Sequence, residues 1–289
     1  LTQALQINWQ DSVIQTIRFK NRDYFLKRDD LLTPISGNKA RKLYGLLNTG
    51  FSGYQRLISH GGAQSNAMLA LAQLCQMIGL PFHYYSRPVP KWLRQNPLGN
   101  LRTALDAGMQ WHITDNGLPA QQTEPESLMI PQGISMPEAQ SGLQRLAEEI
   151  EEFCQDKRID KLSVVTPSGT GATALYLQKH LTHPVYTVPC VGDRDTLEKL
   201  FRQLLPDTER YPLILDSKKR YHFGELHPEL LAIYQDLLNS TGVEFELMYD
   251  AKTWLVLQDQ AFDTPVLYLH NGGISGNESM LARYRRLNS

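Results

Sequence analysis

A lysine enclosed by other cations is a candidate amine nucleophile, and Lys39 has that setting in the run KRDDLLTPISGNKARKL at 27–43. Arg41 and Lys42 disfavour its protonation, and any burial pushes its pKa down in the same direction. A neutral amine can form a Schiff base with a carbonyl cofactor. The bland reading of the run is a solvated basic helix start, because charge runs usually face water. Three further segments carry residues that could serve such an amine. The turn PSGTG at 167–171 lies between a buried strand, VVT, and a helix, TALYL, which is the arrangement of a phosphate cup. Gly169 and Gly171 allow close backbone approach, and Ser168 and Thr170 add hydroxyl donors. The lysine and spacing of a nucleoside-triphosphate loop are missing, and a plain βα turn is the alternative. In SHGGAQSNAMLALA at 59–72, a strand ends at a double glycine and Gln64, Ser65 and Asn66 occupy a helix N-terminus. They read either as ordinary caps or as ligand contacts, with Ser65 then a catalytic hydroxyl. VLYLHNGG at 266–273 again ends a strand in a double glycine, and His270 reads equally as a core histidine.

Positioning such residues calls for strands that end at one crevice, and the pattern along the chain supplies them. Short apolar runs alternate with helix-length segments, as in βα units around a mainly parallel sheet. Strands are expected at YFLKR (24–28), QRLIS (55–59), FHYYS (82–86), MQWHI (109–113), VYTVP, PLILD, VEFELMY and VLYL. Helices are expected from about Lys39, from Ser65 or Asn66 to near Gly79, around 99–107, and over GLQRLAEEIEEFCQDK. The last has Leu143, Leu146, Ile150 and Phe153 on one face. The stretch 114–138, rich in Gly, Pro, Gln and Ser, is expected to be a boundary and return connection.

Composition excludes several classes. With 42% apolar and 20% charged residues in 289, the chain reads as an ordinary globular protein large enough for a full core. A net charge of -1 gives no general attraction to nucleic acid or anionic membrane. Cys75, Cys154 and Cys190 are widely spaced, match no metal or redox motif, and read as reduced thiols of a cytoplasmic protein. LTQALQINWQDSVIQ has no basic start followed by an apolar stretch, so no secretory signal is expected in this chain. The most apolar run, AMLALAQLCQMIGL, is too short to span a bilayer.

In order, KRDD with GNKARKL, GGAQSN, PLGN at 97–100 and HNGG resemble the pyridoxal-phosphate enzyme family containing 1-aminocyclopropane-1-carboxylate deaminase and D-cysteine desulfhydrase. The resemblance runs from about Phe25 to Tyr284. It implies the α/β architecture called fold type II: two open twisted, mainly parallel sheets flanked by helices, with the active site between a large and a small domain. The large domain is then 1–45 with 136–289, the small domain 46–135, and the protein a homodimer. Pyridoxal 5'-phosphate is the implied cofactor. Lys39 matches the lysine that binds it, Asn66 the residue on the ring hydroxyl, SGTG at 168–171 the phosphate turn, and Asp250 the acidic partner of the pyridine nitrogen. Ser65 and Tyr249 match residues that act on the substrate, and Gln64, Asn66 and Phe223 fall among its expected contacts. The departures surround the substrate. Phe223 stands where a second active-site tyrosine is expected, with Tyr221 or His222 as substitutes if the loop shifts. Ala251 replaces a glycine, Ala67 a His or Gln, and Asn271 a threonine. The implied activity is a lyase or deaminase that turns a small amino acid into a 2-oxo acid and ammonia, plus sulfide if the substrate is D-cysteine. The missing hydroxyl at 223 favours elimination from a D-amino acid over cyclopropane ring opening. A β-replacement synthase and a cofactor-binding protein without turnover are the competing readings.

Overall fold

The computed structural model describes residues 6–119 and 126–287. It opens with a hairpin of β1 (Ile14–Phe19) and β2 (Arg22–Lys27), joined at Lys20 and Asn21. Both turn residues have positive φ, as a two-residue hairpin turn requires. After α1 (Gly37–Thr49) comes a four-stranded sheet of β3 (Arg56–His60), β4 (Phe82–Ser86), β5 (Gln110–Ile113) and β6 (Ser127–Ile130), ordered β5-β4-β3-β6 and parallel throughout. Between its strands lie α2 (Asn66–Ile78), the short α3 (Lys91–Gln95) and α4 (Gly99–Asp106).

The chain then returns through α5 (Gln140–Lys157) to the first sheet. There it adds β7 (Ser163–Ser168), α6 (Ala172–His180), β8 (Val185–Pro189), α7 (Arg194–Leu204), β9 (Leu213–Ile214), α8 (Pro228–Thr241), α9 (Asp250–Leu257), β10 (Val266–Leu269) and α10 (Asn277–Leu287). The order is β1-β2-β10-β7-β8-β9, parallel from β2 onward. β7 is buried at every position, as a central parallel strand covered on both faces must be. This is the expected architecture of two mainly parallel sheets flanked by helices.

Three local features differ from the sequence reading. The edge strand β1 was not foreseen, because its alternation begins inside the polar N-terminal stretch. The return segment 114–138 contains β6, which pairs with β3. VEFELMY at 243–249 is not a strand, although it alternates like one. Its amides go to side chains instead: Glu246 N–H donates to Asp250 Oδ2, Leu247 N–H to Asn277 Oδ1, and Met248 and Tyr249 N–H to Glu246 Oε2. Backbone donors satisfied in this way have none left for a ladder.

Helix α1 crosses the expected seam at 45/46. Its Ala40, Leu43 and Leu46 pack into the core of the four-stranded sheet with Leu57, Leu71 and Phe82. Its Arg41 is fully buried on another side, with Nη2 2.7 Å from Asp29 and Nη1 2.8 Å from Glu149. Among the described residues no helix is long and apolar enough to cross a membrane, and the three cysteines are buried free thiols.

Candidate active site

Connections that leave the carboxyl ends of six strands meet in one cleft, where ligands of open parallel α/β sheets bind. They follow β2, β3, β6, β7, β8 and β10, and the cleft is lined by Lys39, Lys42, Ser65, Asn66, Ser168 to Gly171, Tyr249, Asp250 and Asn271 among others. The approach of α1 to the end of β10 depends on Gly37. Its φ is +72°, and a Cβ there would stand 2.0 Å from Asn271 O, while Asn38 N–H donates to that carbonyl at 3.1 Å. Only glycine permits this contact.

Lys39 is partly buried at the start of α1, where its Nζ donates to Asn38 Oδ1 at 2.7 Å. Asn38 is held in turn, its Nδ2 donating to Thr173 Oγ1 at 3.0 Å. Burial lowers the Lys39 pKa to about 8, with Glu246 pulling partly in the other direction. Arg41 is not among the causes, because its guanidinium is directed at Asp29 and Glu149. Lys42 is the larger surprise. It also lines the cleft, donates to Gly133 O at 2.9 Å, and is held well below the ordinary lysine range by burial and then by Lys39. Spacing of three residues puts both amines on one helix face, a signal in GNKARKL that the sequence reading left unused.

The turn after β7 lines the cleft at Ser168 to Gly171, as expected, with one amendment. Gly171 precedes α6 with no side-chain cap, so the first-turn amides are open to the cleft. Thr170 Oγ1 accepts from Ser135 Oγ at 2.5 Å. The Ser168 hydroxyl does not join in. Thr187 gives its proton to Thr166 O, so the 2.6 Å contact between Ser168 and Thr187 uses the proton of Ser168. One buried and one partly buried amine without a carboxylate ion pair among the described residues, beside an uncapped helix start, fit a multiply charged phosphate.

On the opposite wall, Ser65 caps α2, its Oγ accepting from Ala67 and Met68 N–H at 3.2 and 3.3 Å. Asn66 lines the cleft beside Gly273, whose φ is +83° and whose Cβ would lie 2.4 Å from Asn66 Nδ2. Gln64 does not line it: its Nε2 donates to Leu98 O at 2.9 Å. The Tyr249 ring lies over the β7 turn, its hydroxyl 3.4 Å from where a Cβ on Gly169 would stand. Burial, then Glu246, raises its phenol far above the ordinary value, which makes it a proton donor rather than a base near neutrality. Asp250 accepts from Tyr268 Oη at 2.7 Å and has His270 Nδ1 at 3.9 Å, and burial raises its carboxyl. Asp250 is therefore a buried carboxylate short of a cation. Glu246, missed in the sequence, is 1% exposed, has Oε1 without a hydrogen-bond partner, and is pushed up to about 8 by burial and Asp250.

The sequence matches no described protein family and no curated protein. Solved structures do match. An ACC deaminase homologue superposes with a TM-score of 0.77 at 23% identity, covering 96% of this chain and 94% of its own. Serine racemase from Dictyostelium discoideum gives 0.66 at 13% identity, with 92% and 93% covered. A pyridoxal 5'-phosphate-dependent aspartate racemase gives 0.62 at 12% identity, with 92% and 91% covered. This chain has the type II fold of pyridoxal-phosphate enzymes.

Within the type II fold, the positions around Tyr249 depart most from expectation. Phe223 lies outside the cleft lining, 44% exposed, with its ring 5.1 Å from that of Tyr249. Tyr221 and His222 do not replace the missing hydroxyl, since they line a separate small cavity with Cys190 and Lys252.

Proposed function

We propose that this chain is a pyridoxal-phosphate-dependent lyase or deaminase of the 1-aminocyclopropane-1-carboxylate deaminase and D-cysteine desulfhydrase family, which converts a small amino acid to a 2-oxo acid and ammonia. One observation carries the reading: a partly buried lysine whose amine burial lowers to a pKa of about 8 shares a cleft with the uncapped glycine turn before α6 and with a second, buried lysine. The cofactor, when bound, supplies an electron sink for charge developing at the substrate Cα. Lys42, the α6 amides and Thr170 are the groups available to its phosphate. Asn66 is available to its ring oxygen and Asp250 to its ring nitrogen.

The chain's own residues then divide the proton work. With its pKa near 8, Lys39 has a sizeable neutral fraction at physiological pH and can take the proton from Cα. Tyr249, kept protonated by burial, can donate to the departing group. Ser65 and the start of α2 are the groups available to the substrate carboxylate. From D-cysteine, loss of the Cα proton and cleavage of Cβ–S release hydrosulfide, and hydrolysis leaves pyruvate and ammonia. Phe223 beside Tyr249 supplies no second hydroxyl, which favours this elimination over cyclopropane ring opening. A homodimer belongs to the same proposal.

The test is an absorbance spectrum of the purified protein with PLP, challenged in turn with D-cysteine, D-serine, their L-forms and the cyclopropane acid, alongside Lys39→Ala. A visible band, its perturbation by D-forms and release of 2-oxo acid are expected. Lys39→Ala should lose the band and at least about a hundredfold of activity. Absence of a band after PLP is supplied overturns the cofactor assignment. A response to L-forms alone overturns the substrate assignment, and a condensed amino acid as product indicates β-replacement.

A further inference from the structure

Asn66 can serve a ligand in two opposite ways, because a side-chain amide offers a donor on one edge and an acceptor on the other. The two edges are nearly equal in size, so only the surrounding hydrogen bonds decide which one faces the cleft. Here they do so through Asn100, a fully buried residue at the second position of α4. Asn100 Nδ2 donates to Gln64 O at 2.9 Å and to Asn66 Oδ1 at 2.7 Å, while Asn100 Oδ1 accepts from Ser275 Oγ at 2.6 Å. One end of this chain admits no reversal. Gln64 O is a backbone carbonyl and can only accept, so the edge of Asn100 that meets it must be the NH2 group. The same nitrogen meets Asn66, which must therefore offer Oδ1 there and turn its own NH2 to the other side, beside Gly273.

We propose that Asn100 is a positioning residue that fixes the polarity of Asn66, so that the cleft meets an amide donor and the ligand atom seated there is an oxygen acceptor. This rests on the functional reading above, in which that atom is the ring oxygen of PLP. It also gives Ser275 a role: its hydroxyl holds the carbonyl edge of Asn100 and so ties the α2 wall of the cleft to the turn after β10. Gln64, expected at the substrate, contributes its backbone carbonyl as the reference for the whole chain.

Asn100→Asp reverses the signal with little change in shape. Both carboxylate oxygens accept, so Asn66 turns its NH2 inward and presents Oδ1 to an acceptor on the ligand. The experiment titrates apoprotein with PLP and reads the dissociation constant and the position of the visible band, for wild type, Asn100→Asp, Asn66→Ala and the double variant. Asn100→Asp is expected to bind PLP about tenfold more weakly or worse, with a displaced band. The double variant should be no weaker than Asn66→Ala, because without Asn66 there is no polarity to set. Should Asn100→Asp fail to fold by circular dichroism, Asn100→Ala takes its place in the same comparison. Unchanged affinity and band in a folded Asn100 variant overturn the proposal, as does a loss that adds in full to that of Asn66→Ala. A wild-type protein that takes up no PLP overturns the functional reading instead.

Discussion

Of the two cations that flank Lys39, Arg41 is neutralised by Asp29 and Glu149, while Lys42 shares the cleft and has its own pKa lowered by burial and then by Lys39. Burial is thus the cause that lowers the Lys39 pKa, and neither of the neighbouring cations that drew attention in the sequence contributes to the shift. Burial acts in the opposite sense on Glu246, whose carboxyl moves from about 4.5 to about 8. A carboxyl raised on folding binds its proton more tightly in the native than in the unfolded chain. Its contribution to stability is complete below about pH 4.5 and is lost as pH rises to about 8. Lys39, lowered from about 10.5 to about 8, acts above that window and with the other sign, so the two are separable. Glu246→Gln keeps an oxygen for the Met248 and Tyr249 amides and removes the titration. The apoprotein variant should show a flatter fall in melting temperature between pH 5 and 8 than wild type. Parallel curves would mean that Glu246 does not titrate in this range.

At the scale of elements, α1 delivers two amines to one cleft because residues three apart share a helix face. Lys42→Met preserves the buried stem and removes the charge, so it tests the anion cup alone. A charge-assisted hydrogen bond contributes about 1.5–3 kcal/mol, so PLP should bind roughly ten- to a hundredfold more weakly. Pyridoxal, which lacks the phosphate, should be affected little, and an equal loss for both would remove Lys42 from the cup. The βα units that carry the cleft were legible because their cues are local. FHYYS is a strand as read, and Ser65 and Gly79 cap α2 at both ends as expected. What was illegible depends on side-chain partners that the residue pattern does not reveal. VEFELMY has strand alternation, yet Asp250 and Asn277 take amides that a strand would have used. Ser168 read as a hydroxyl donor until Thr187, nineteen residues away, claimed its proton. The amide polarity set by Asn100 likewise has no signature in the PLGN string that contains it.

For the molecule as a whole, α1 is the member shared by both sheets, and its two buried sides are held by different physics. Ala40, Leu43 and Leu46 enter the apolar core of the four-stranded sheet, where a fully buried leucine contributes about 1.5–3 kcal/mol. Arg41 faces the other way into a cluster of Asp29, Glu149, Lys27 and Ser12, which joins β2, α5 and the N-terminal segment. Burial pushes the Glu149 carboxyl up, but Arg41 and Lys27 together hold it below the ordinary carboxylate value. A carboxyl lowered on folding stabilises above its unfolded pKa, and that contribution is lost as pH falls through the folded value. Arg41→Met is close in length and apolar, yet it leaves Asp29 and Glu149 without their main counter-charge. Removing one partner of a buried ion cluster costs about 3–5 kcal/mol, unlike replacing the whole cluster by apolar groups. Urea denaturation should therefore find the variant less stable by about that amount at neutral pH. The deficit should narrow as the solution is acidified and Glu149 takes up a proton. Because the same helix carries Lys39, PLP uptake should fail at a lower temperature in the variant than in wild type. A variant as stable as wild type at neutral pH would show that α1 is held by its apolar side alone.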